Sequence, residues 1–214
     1  IVSKPFLILG VTLFIGSAAV GQARGRGHKV RAFARGAAAL EPDDLVEPFA
    51  GDALAQDDVD AAVKGTRAVI YALGIKERLA MLWENETFFS ESTRILLDAM
   101  HRLGPKRLVV VTGFGAGRSK DAMSWVERTG HKALLGKPYE DKDRQEALIV
   151  ESDLDWTIVR PVILTNGSNT APPRVLRDPS TWRNGLVSRA GVATYLLEAV
   201  EDALDVRADV LVAR

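Results

Sequence analysis

Short apolar segments typical of β-strands alternate with longer segments of helical periodicity along this whole chain. Because parallel strands are joined through crossovers, usually helices, this alternation predicts a mostly parallel sheet with helices on both faces. The predicted strands are Phe6–Gly10, Lys29–Arg35, Val46–Ala50, Arg67–Gly74, Arg107–Thr112, Trp156–Arg160 and Val210–Val212. We therefore predict an α/β fold consisting of a single doubly wound, Rossmann-like domain over residues 1–214.

The helical segments have apolar residues at helical spacing or are rich in alanine. They are Ser17–Arg26, Gln56–Lys64, Glu84–Arg102, Lys142–Glu151 and Ser188–Glu201. Between these elements, residues near 75–84, 114–138 and 164–187 are predicted to form excursions on the substrate side. The glycines of Gly113–Gly117 predict a flexible turn after the fifth strand.

The second predicted strand alternates strictly, which places Val30, Ala32 and Ala34 on one face and Phe33 on the other. The fourth, Arg67–Gly74, is apolar nearly throughout, as expected of a strand covered on both faces. Both patterns favour a sheet between two layers of helices.

The first predicted strand ends at Gly10, and a helix is predicted to start near Gly16. A strand, a glycine turn and a helix N-terminus together hold the pyrophosphate of a dinucleotide, because backbone N–H groups and the positive end of the helix dipole meet there. The usual three glycines are incomplete, since position 13 is Leu13. Taken alone, the stretch is equally compatible with an ordinary buried strand that ends in a glycine turn.

Composition excludes several classes of function. The 28 basic and 28 acidic residues give no net charge, so no field attracts nucleic acid. Cysteine is absent, which excludes a disulfide framework and a thiolate zinc site, and the three histidines are far apart, so we predict no metal. No apolar run is long enough to span a bilayer, and we expect a cytoplasmic protein without membrane contact.

Seven short segments lie where the predicted strands end or the following helices begin. They are Gly10-x-Thr12-x-x-Ile15-Gly16, Arg35, Gly51–Asp52, Tyr71–Gly74, Val110–Gly115, Tyr139–Lys142 and Asp155–Pro161. In their order and spacing they resemble the atypical short-chain dehydrogenase/reductases, in particular the NmrA-like and flavin/biliverdin-reductase-like branch. The resemblance covers nearly the whole chain, and the last segment is its most specific part.

The resemblance implies a site for NADP(H) in preference to NAD(H). In that family the glycine turn holds the pyrophosphate, and Arg35 matches the basic residue that meets the 2′-phosphate of NADP. A guanidinium offers a fork of donors to phosphate, whereas an NAD site needs a carboxylate there, although a solvated strand-end arginine would look the same. Asp52 matches the residue that faces the adenine, and a turn-capping aspartate is the alternative. The predicted cofactor-binding residues are Gly10, Thr12, Leu13, Phe14, Ile15, Arg35, Asp52, Ala53, Ala72, Leu73, Gly74, Thr112, Lys142, Pro161 and Val162.

The catalytic residues implied by the resemblance are Lys142, Thr112 and Tyr139. Classical members carry a tyrosine four residues before the lysine, but here that position is Pro138 and Tyr139 follows it. A shift of one residue turns a helical side chain by about 100°. We expect Lys142 to bind the nicotinamide ribose, Thr112 to fill the usual Ser/Thr position, and Tyr139, placed by Pro138 at the start of a helix, to contribute little.

Two functions from different classes remain open. The first is NADPH-dependent reduction of a small planar or carbonyl-bearing substrate, such as a flavin or quinone. The second is a non-catalytic NADP-binding regulator that signals redox state to a protein partner. The imperfect tyrosine–lysine pair favours the regulator, whereas the short chain favours the reductase. A homodimer is compatible with either function.

Overall fold

The computed structural model describes residues 4–12, 14–74, 87–168 and 170–214. Within these ranges the chain forms ten strands and five α-helices. The strands are β1 (Phe6–Leu9), β2 (Val30–Ala34), β3 (Val46–Ala50), β4 (Ala68–Tyr71), β5 (Arg107–Val111), β6 (Asp155–Pro161), β7 (Ile163–Thr165), β8 (Arg174–Leu176), β9 (Leu186–Ser188) and β10 (Ala208–Ala213). The helices are α1 (Phe14–Gly25), α2 (Gln56–Val63), α3 (Phe88–Leu103), α4 (Trp125–Glu151) and α5 (Arg189–Glu201).

The main sheet has the strand order β3-β2-β1-β4-β5-β6-β10-β8. Its strands are parallel except for β8, which runs antiparallel to β10 at one edge. The order reverses between β1 and β4, which is the switch point at which ligands bind in doubly wound sheets. This topology confirms the predicted α/β fold class.

Helices cover both faces of the sheet, and β1, β2, β4, β5 and β6 each contribute side chains to two cores. In β1, Phe6 and Ile8 pack with residues of α1 and α5, whereas Leu7 and Leu9 pack with residues of α2, α3 and α4. The predicted faces of the second strand are also confirmed, since Phe33 lies in the opposite core from Val30, Ala32 and Ala34. Burying each large apolar side chain contributes roughly 1.5–3 kcal/mol, so both helix layers are firmly attached.

Two predicted helix starts are wrong. Helix α1 begins at Phe14 rather than Ser17, and α4 begins at Trp125 rather than Lys142. A capping box starts α4: the Ser124 side chain accepts from the Glu127 N–H, and the Glu127 carboxylate accepts from the Ser124 N–H. Tyr139 therefore lies inside a long helix and not at its start, contrary to the sequence-based expectation.

The turn after β5 was predicted to be flexible, but it is tightly packed. Gly113 lies against Tyr139, since a β-carbon there would be 2.7 Å from the tyrosine hydroxyl. The Gly115 N–H donates to Ser119 Oγ at 2.9 Å, and Gly115 and Gly117 both have positive φ. The glycines are thus required by close approach and by backbone conformation rather than by mobility.

The other predicted excursions have different outcomes. The segment 164–187 contains β8 and most of the small parallel sheet of β7 and β9, which the sequence did not predict. The segment 75–84 lies outside the described residues. The region 114–138 contains a 3-10 turn, Gly117–Ala122, and the first half of α4.

Candidate functional site

A cleft of about 440 Å³ lies at the carboxyl ends of the central strands, at the switch point between β1 and β4. Its walls come from the ends of β1, β4, β5 and β6, from α1 and α4, and from the start of α5. The lining residues are Gly10, Phe14, Ile15, Ala72, Leu73, Gly74, Val111, Thr112, Gly113, Tyr139, Lys142, Pro161, Val162, Ile163, Leu164 and Arg189. The parallel sheet brings these segments together because its strands all end at the same edge.

Two glycines shape the turn after β1, and the first of them, Gly10, lines the cleft. Gly10 has φ +86°, and a β-carbon there would lie 2.6 Å from the carbonyl oxygen of Ala72. A β-carbon on Gly16 would collide with the Gly10 carbonyl oxygen. Both positions therefore require glycine, the first for the turn and the second for close packing of α1 on the strand.

Phe14 is the first residue of α1 and has φ +59°, a conformation uncommon for any residue other than glycine. The Arg189 guanidinium carbon lies 4.8 Å from the centroid of the Phe14 ring, and Arg189 Nη1 donates to Asn166 Oδ1 at 2.5 Å. Arg189 thereby connects α5 to α1 and to the segment after β7, and it places a cation in the lining of the cleft.

A second, much smaller cavity of about 20 Å³ lies at the ends of β2 and β3. It is lined by Phe33, Ala34, Arg35, Gly51, Asp52, Ala53, Leu73 and Phe88. Leu73 lines both cavities, so they are neighbours along the same edge of the sheet. The Arg35 side chain is exposed. Asp52 Oδ1 accepts from the Leu54 N–H at 3.0 Å, so this aspartate also caps its own turn, as the alternative interpretation expected.

The three predicted catalytic residues all line the cleft. Lys142 is 5% exposed, and its Nζ donates to the Thr112 carbonyl oxygen at 2.7 Å. The ring centroids of Tyr139 and Phe89 lie 5.8 Å and 4.8 Å from the same Nζ. The ammonium is therefore enclosed by two aromatic rings and held by one main-chain acceptor.

Burial shifts the pKa of both titratable groups in this arrangement. Desolvation lowers the pKa of Lys142 from 10.5 to about 8, and the charges of Glu146 and Asp141 partly oppose this shift. Desolvation, with a smaller contribution from Glu146, raises the pKa of Tyr139 from 10.0 to about 12. Tyr139 therefore remains a neutral phenol at neutral pH and does not act as a base.

The structure brings the predicted residues together in two groups. Around the main cleft lie Gly10, Phe14, Ile15, Ala72, Leu73, Gly74, Thr112, Tyr139, Lys142, Pro161 and Val162. Around the second cavity lie Arg35, Asp52, Ala53 and again Leu73. Thr12 lies beside the turn after β2, since a β-carbon on Gly36 would be 3.3 Å from Thr12 Cγ2. Leu13 lies outside the described residues.

Sequence reasoning missed Ile163 and Arg189, which also line the main cleft. Arg189 is the first residue of α5, and Ser188 caps that helix by accepting from the Gly191 N–H. Serine is a favoured N-cap residue, so Ser188 could have indicated that Arg189 is the first residue of α5. Ile163 follows the Pro161 motif by two residues and belongs to β7, which was not predicted.

Two other features, a metal site and a membrane-spanning helix, are absent from the described residues. In these ranges no group of three or more His, Asp or Glu side chains is placed to hold a metal ion. No helix in the same ranges combines the length and the apolar character needed to cross a bilayer.

Comparison with known families and structures agrees with this geometry. Residues 10–203 match the model of a family described as NAD(P)H-binding. Comparison with curated protein sequences gave no match. The family match and the fold confirm the predicted resemblance to atypical short-chain dehydrogenase/reductases.

Several solved structures share the fold over almost the whole chain. ChuY from Escherichia coli O157:H7, described as an anaerobillin reductase, is 24% identical with a TM-score of 0.82, covering 98% of this chain and 97% of its own. A short-chain dehydrogenase/reductase from Veillonella parvula in complex with NADP is 16% identical with a TM-score of 0.82, covering 99% and 94%. The oxidoreductase YlbE from Lactococcus lactis is 17% identical with a TM-score of 0.82, covering 98% and 90%.

Proposed function

The chain belongs to the NAD(P)H-binding family, and from that premise we propose that it is an NADPH-dependent reductase of a small planar or carbonyl-bearing substrate, such as a flavin or quinone. The observation that carries the proposal is the composition of the cleft at the switch point. The three candidate catalytic residues, Thr112, Tyr139 and Lys142, line it together with Pro161 and Val162. The description of ChuY as a reductase supports the same reaction class.

The residues present fit a dinucleotide. Gly10 forms the turn after β1 and lines the cleft, and Gly16 lets α1 pack closely on that turn, which are two of the three glycine roles in a dinucleotide-binding turn. The main cleft adjoins the second cavity at Leu73, so Arg35 and Asp52, the residues matched to the adenosine end of the cofactor, follow the cleft along the same sheet edge.

When bound, a nicotinamide cofactor supplies the hydride. Lys142 orients the ribose through the donors of its ammonium that Thr112 does not occupy. Val162, Ile163 and Leu164 give the cleft an apolar wall that suits a planar ring. Tyr139 stays a neutral phenol at neutral pH, and we expect it to contribute little to the reaction.

A preference for NADP(H) over NAD(H) is part of the proposal. Arg35 follows β2 directly, is exposed and lines the second cavity, where its guanidinium can pair with a 2′-phosphate. Arg35→Ala should weaken NADPH binding by roughly 10–100-fold and leave NADH binding nearly unchanged. The matched control is Arg174→Ala, because Arg174 is an exposed arginine on β8 at the far edge of the sheet. Equal losses for the two cofactors would contradict this role.

Steady-state NADPH oxidation with a panel of flavins, quinones and bilins tests the reductase. The expected result is turnover with at least one planar acceptor, and slower turnover in Lys142→Ala. Absence of turnover across the panel, with tight NADPH binding by fluorescence titration, would refute the reductase.

The second candidate is a non-catalytic NADP-binding regulator that acts through a protein partner. The observation that favours it is Tyr139, which stands one residue from the classical position and has its pKa raised to about 12. Tight NADPH binding without turnover, together with a partner whose binding depends on NADPH or NADP, would support this function over the reductase.

A cytoplasmic location and a homodimer belong to the same proposal. The reductase needs the NADPH pool of the cytoplasm, and the exposed side chains of Ile163 and Leu186 beside the cleft offer apolar contact to substrate or to a second copy. Cell fractionation and sedimentation at several protein concentrations measure these two properties.

A further inference from the structure

Thr112 is held through all of its hydrogen-bonding groups. Its N–H donates to the Val159 carbonyl at 3.0 Å, and its hydroxyl donates to Glu146 Oε1 at 2.7 Å. Its carbonyl oxygen accepts from Lys142 Nζ at 2.7 Å. Because Glu146 takes the one hydroxyl proton, Thr112 has none left to donate to a substrate. Its position instead determines where the Lys142 ammonium lies.

Glu146 is in turn fixed by a buried guanidinium. Arg160 Nε donates to Glu146 Oε1 at 3.0 Å, and Arg160 Nη2 donates to Oε2 at 2.6 Å. The third nitrogen, Nη1, donates to Asp209 Oδ2 at 2.5 Å. Glu146 is 4% exposed and Arg160 is 2% exposed. This bidentate geometry fixes the plane of the carboxylate.

The turn after β5 is shaped around the same ion pair. Gly117 has φ +51°, and a β-carbon there would collide with Glu146 Oε2. The Gly117 N–H donates to Asp143 Oδ1 at 2.7 Å, and Asp143 also pairs with Lys120 at the surface. Glu146 therefore contacts both Thr112 at the end of β5 and the turn that follows it.

We propose that Glu146, held by Arg160, is the positioning residue for Lys142. It fixes Thr112, whose carbonyl holds the ammonium, and it supplies a carboxylate charge close to that ammonium. This inference rests on the proposed function, because it assigns Lys142 to cofactor binding. Glu146 touches neither substrate nor cofactor and acts through its two neighbours.

The surroundings of Lys142 support this assignment. The titratable and charged groups around it are Tyr139, Asp141 and Glu146 on α4, then Arg160 on β6 and Asp209 on β10 behind Glu146. Asp141 accepts from the Phe89 N–H at 2.6 Å and from Ser90, so it caps α3. Of the two carboxylates, Glu146 has the stronger effect on the pKa of Lys142.

The test measures the affinity for NADPH as a function of pH in wild type and Glu146→Gln. Loss of the carboxylate charge should lower the pH at which NADPH binding weakens. The expected decrease is about 1–3 units, because an opposite charge at close range favours the ammonium. Asp143→Asn is the matched control, since it removes one carboxylate from the same helix and keeps an oxygen that can accept from the Gly117 N–H, and it should leave this pH unchanged. Adenosine 2′,5′-bisphosphate, which lacks the nicotinamide half, should bind all three proteins equally.

A second variant supports the test if Glu146→Gln does not fold. Thr112→Val removes the hydroxyl link and keeps the main-chain carbonyl, so NADPH binding should weaken about tenfold while binding of the bisphosphate persists. An unchanged pH dependence in Glu146→Gln, unchanged NADPH affinity in Thr112→Val, or parallel loss of both ligands would overturn the inference. Failure of the wild type to bind NADPH would instead refute the proposed function.

Discussion

Lys142 should make the stability of the protein without cofactor depend on pH. Its pKa is 10.5 in an exposed lysine and falls to about 8 here because the ammonium is buried. Between these two values the unfolded chain binds more protons than the folded one, so the free energy of unfolding rises with pH. The loss of folding stability caused by burying the ammonium is complete below pH 8 and disappears as the pH passes 10.5.

The size of this destabilisation follows from the shift in the pKa of Lys142. The difference between 10.5 and about 8 corresponds to roughly 3 kcal/mol at neutral pH. Because the side chain is almost fully buried, solvent screening does not reduce this figure much. Integrated between about pH 7 and about pH 9.5, the change in the unfolding free energy due to Lys142 alone is about 2 kcal/mol.

The assay compares urea unfolding of wild type and Lys142→Met at several pH values in that range, without cofactor. Other ionisations cancel in the difference, so the stability of Lys142→Met relative to wild type should fall by about 2 kcal/mol as the pH rises. Lys64→Met is the control, because Lys64 is exposed and its removal should give a curve parallel to that of wild type.

Parallel curves for Lys142→Met and wild type would refute the reasoning. They would mean that the ammonium is well solvated, or that Glu146 and Asp141 fully offset its burial. The role of Lys142 as a poised, desolvated cation in the cleft would then have to be abandoned.

Three further predictions concern the walls of the cleft. Tyr139→Phe should change turnover by less than about threefold, because its phenol stays neutral, and a large loss in steady-state assays would restore the classical mechanism. Arg189→Met should weaken NADPH binding about tenfold in a fluorescence titration, because it removes the cation in the lining of the cleft, and unchanged affinity would exclude that role. Gly16→Ala should lower the unfolding free energy by about 1–3 kcal/mol, because its methyl group meets the Gly10 carbonyl. Gly21 lies on the same helix with open space around it, so Gly21→Ala should raise the unfolding free energy by up to about 1 kcal/mol in the same chemical denaturation.

The local pattern of the sequence was sufficient to predict the fold class, whereas the family resemblance named residues that the structure brings together along one edge of the sheet. Alternation in Val30–Ala34 determined which side chains face each core, because strand geometry repeats every two residues whatever the strand pairs with. Gly10 and Pro161 could be placed in the site from sequence, because parallel strands bring their carboxyl ends to one edge.

Only the tertiary structure determined what depends on contacts between distant segments. Pro138 suggested a helix start near Tyr139, so the length of α4 emerged only in the fold. The packing of Gly113 on Tyr139, the bond from Thr112 to Glu146, and the position of Arg189 over Phe14 each join segments far apart in the chain. Sequence periodicity fixes the direction of a side chain within its own element, whereas such contacts, and the burial that shifts the pKa of Lys142, depend on how the elements pack together.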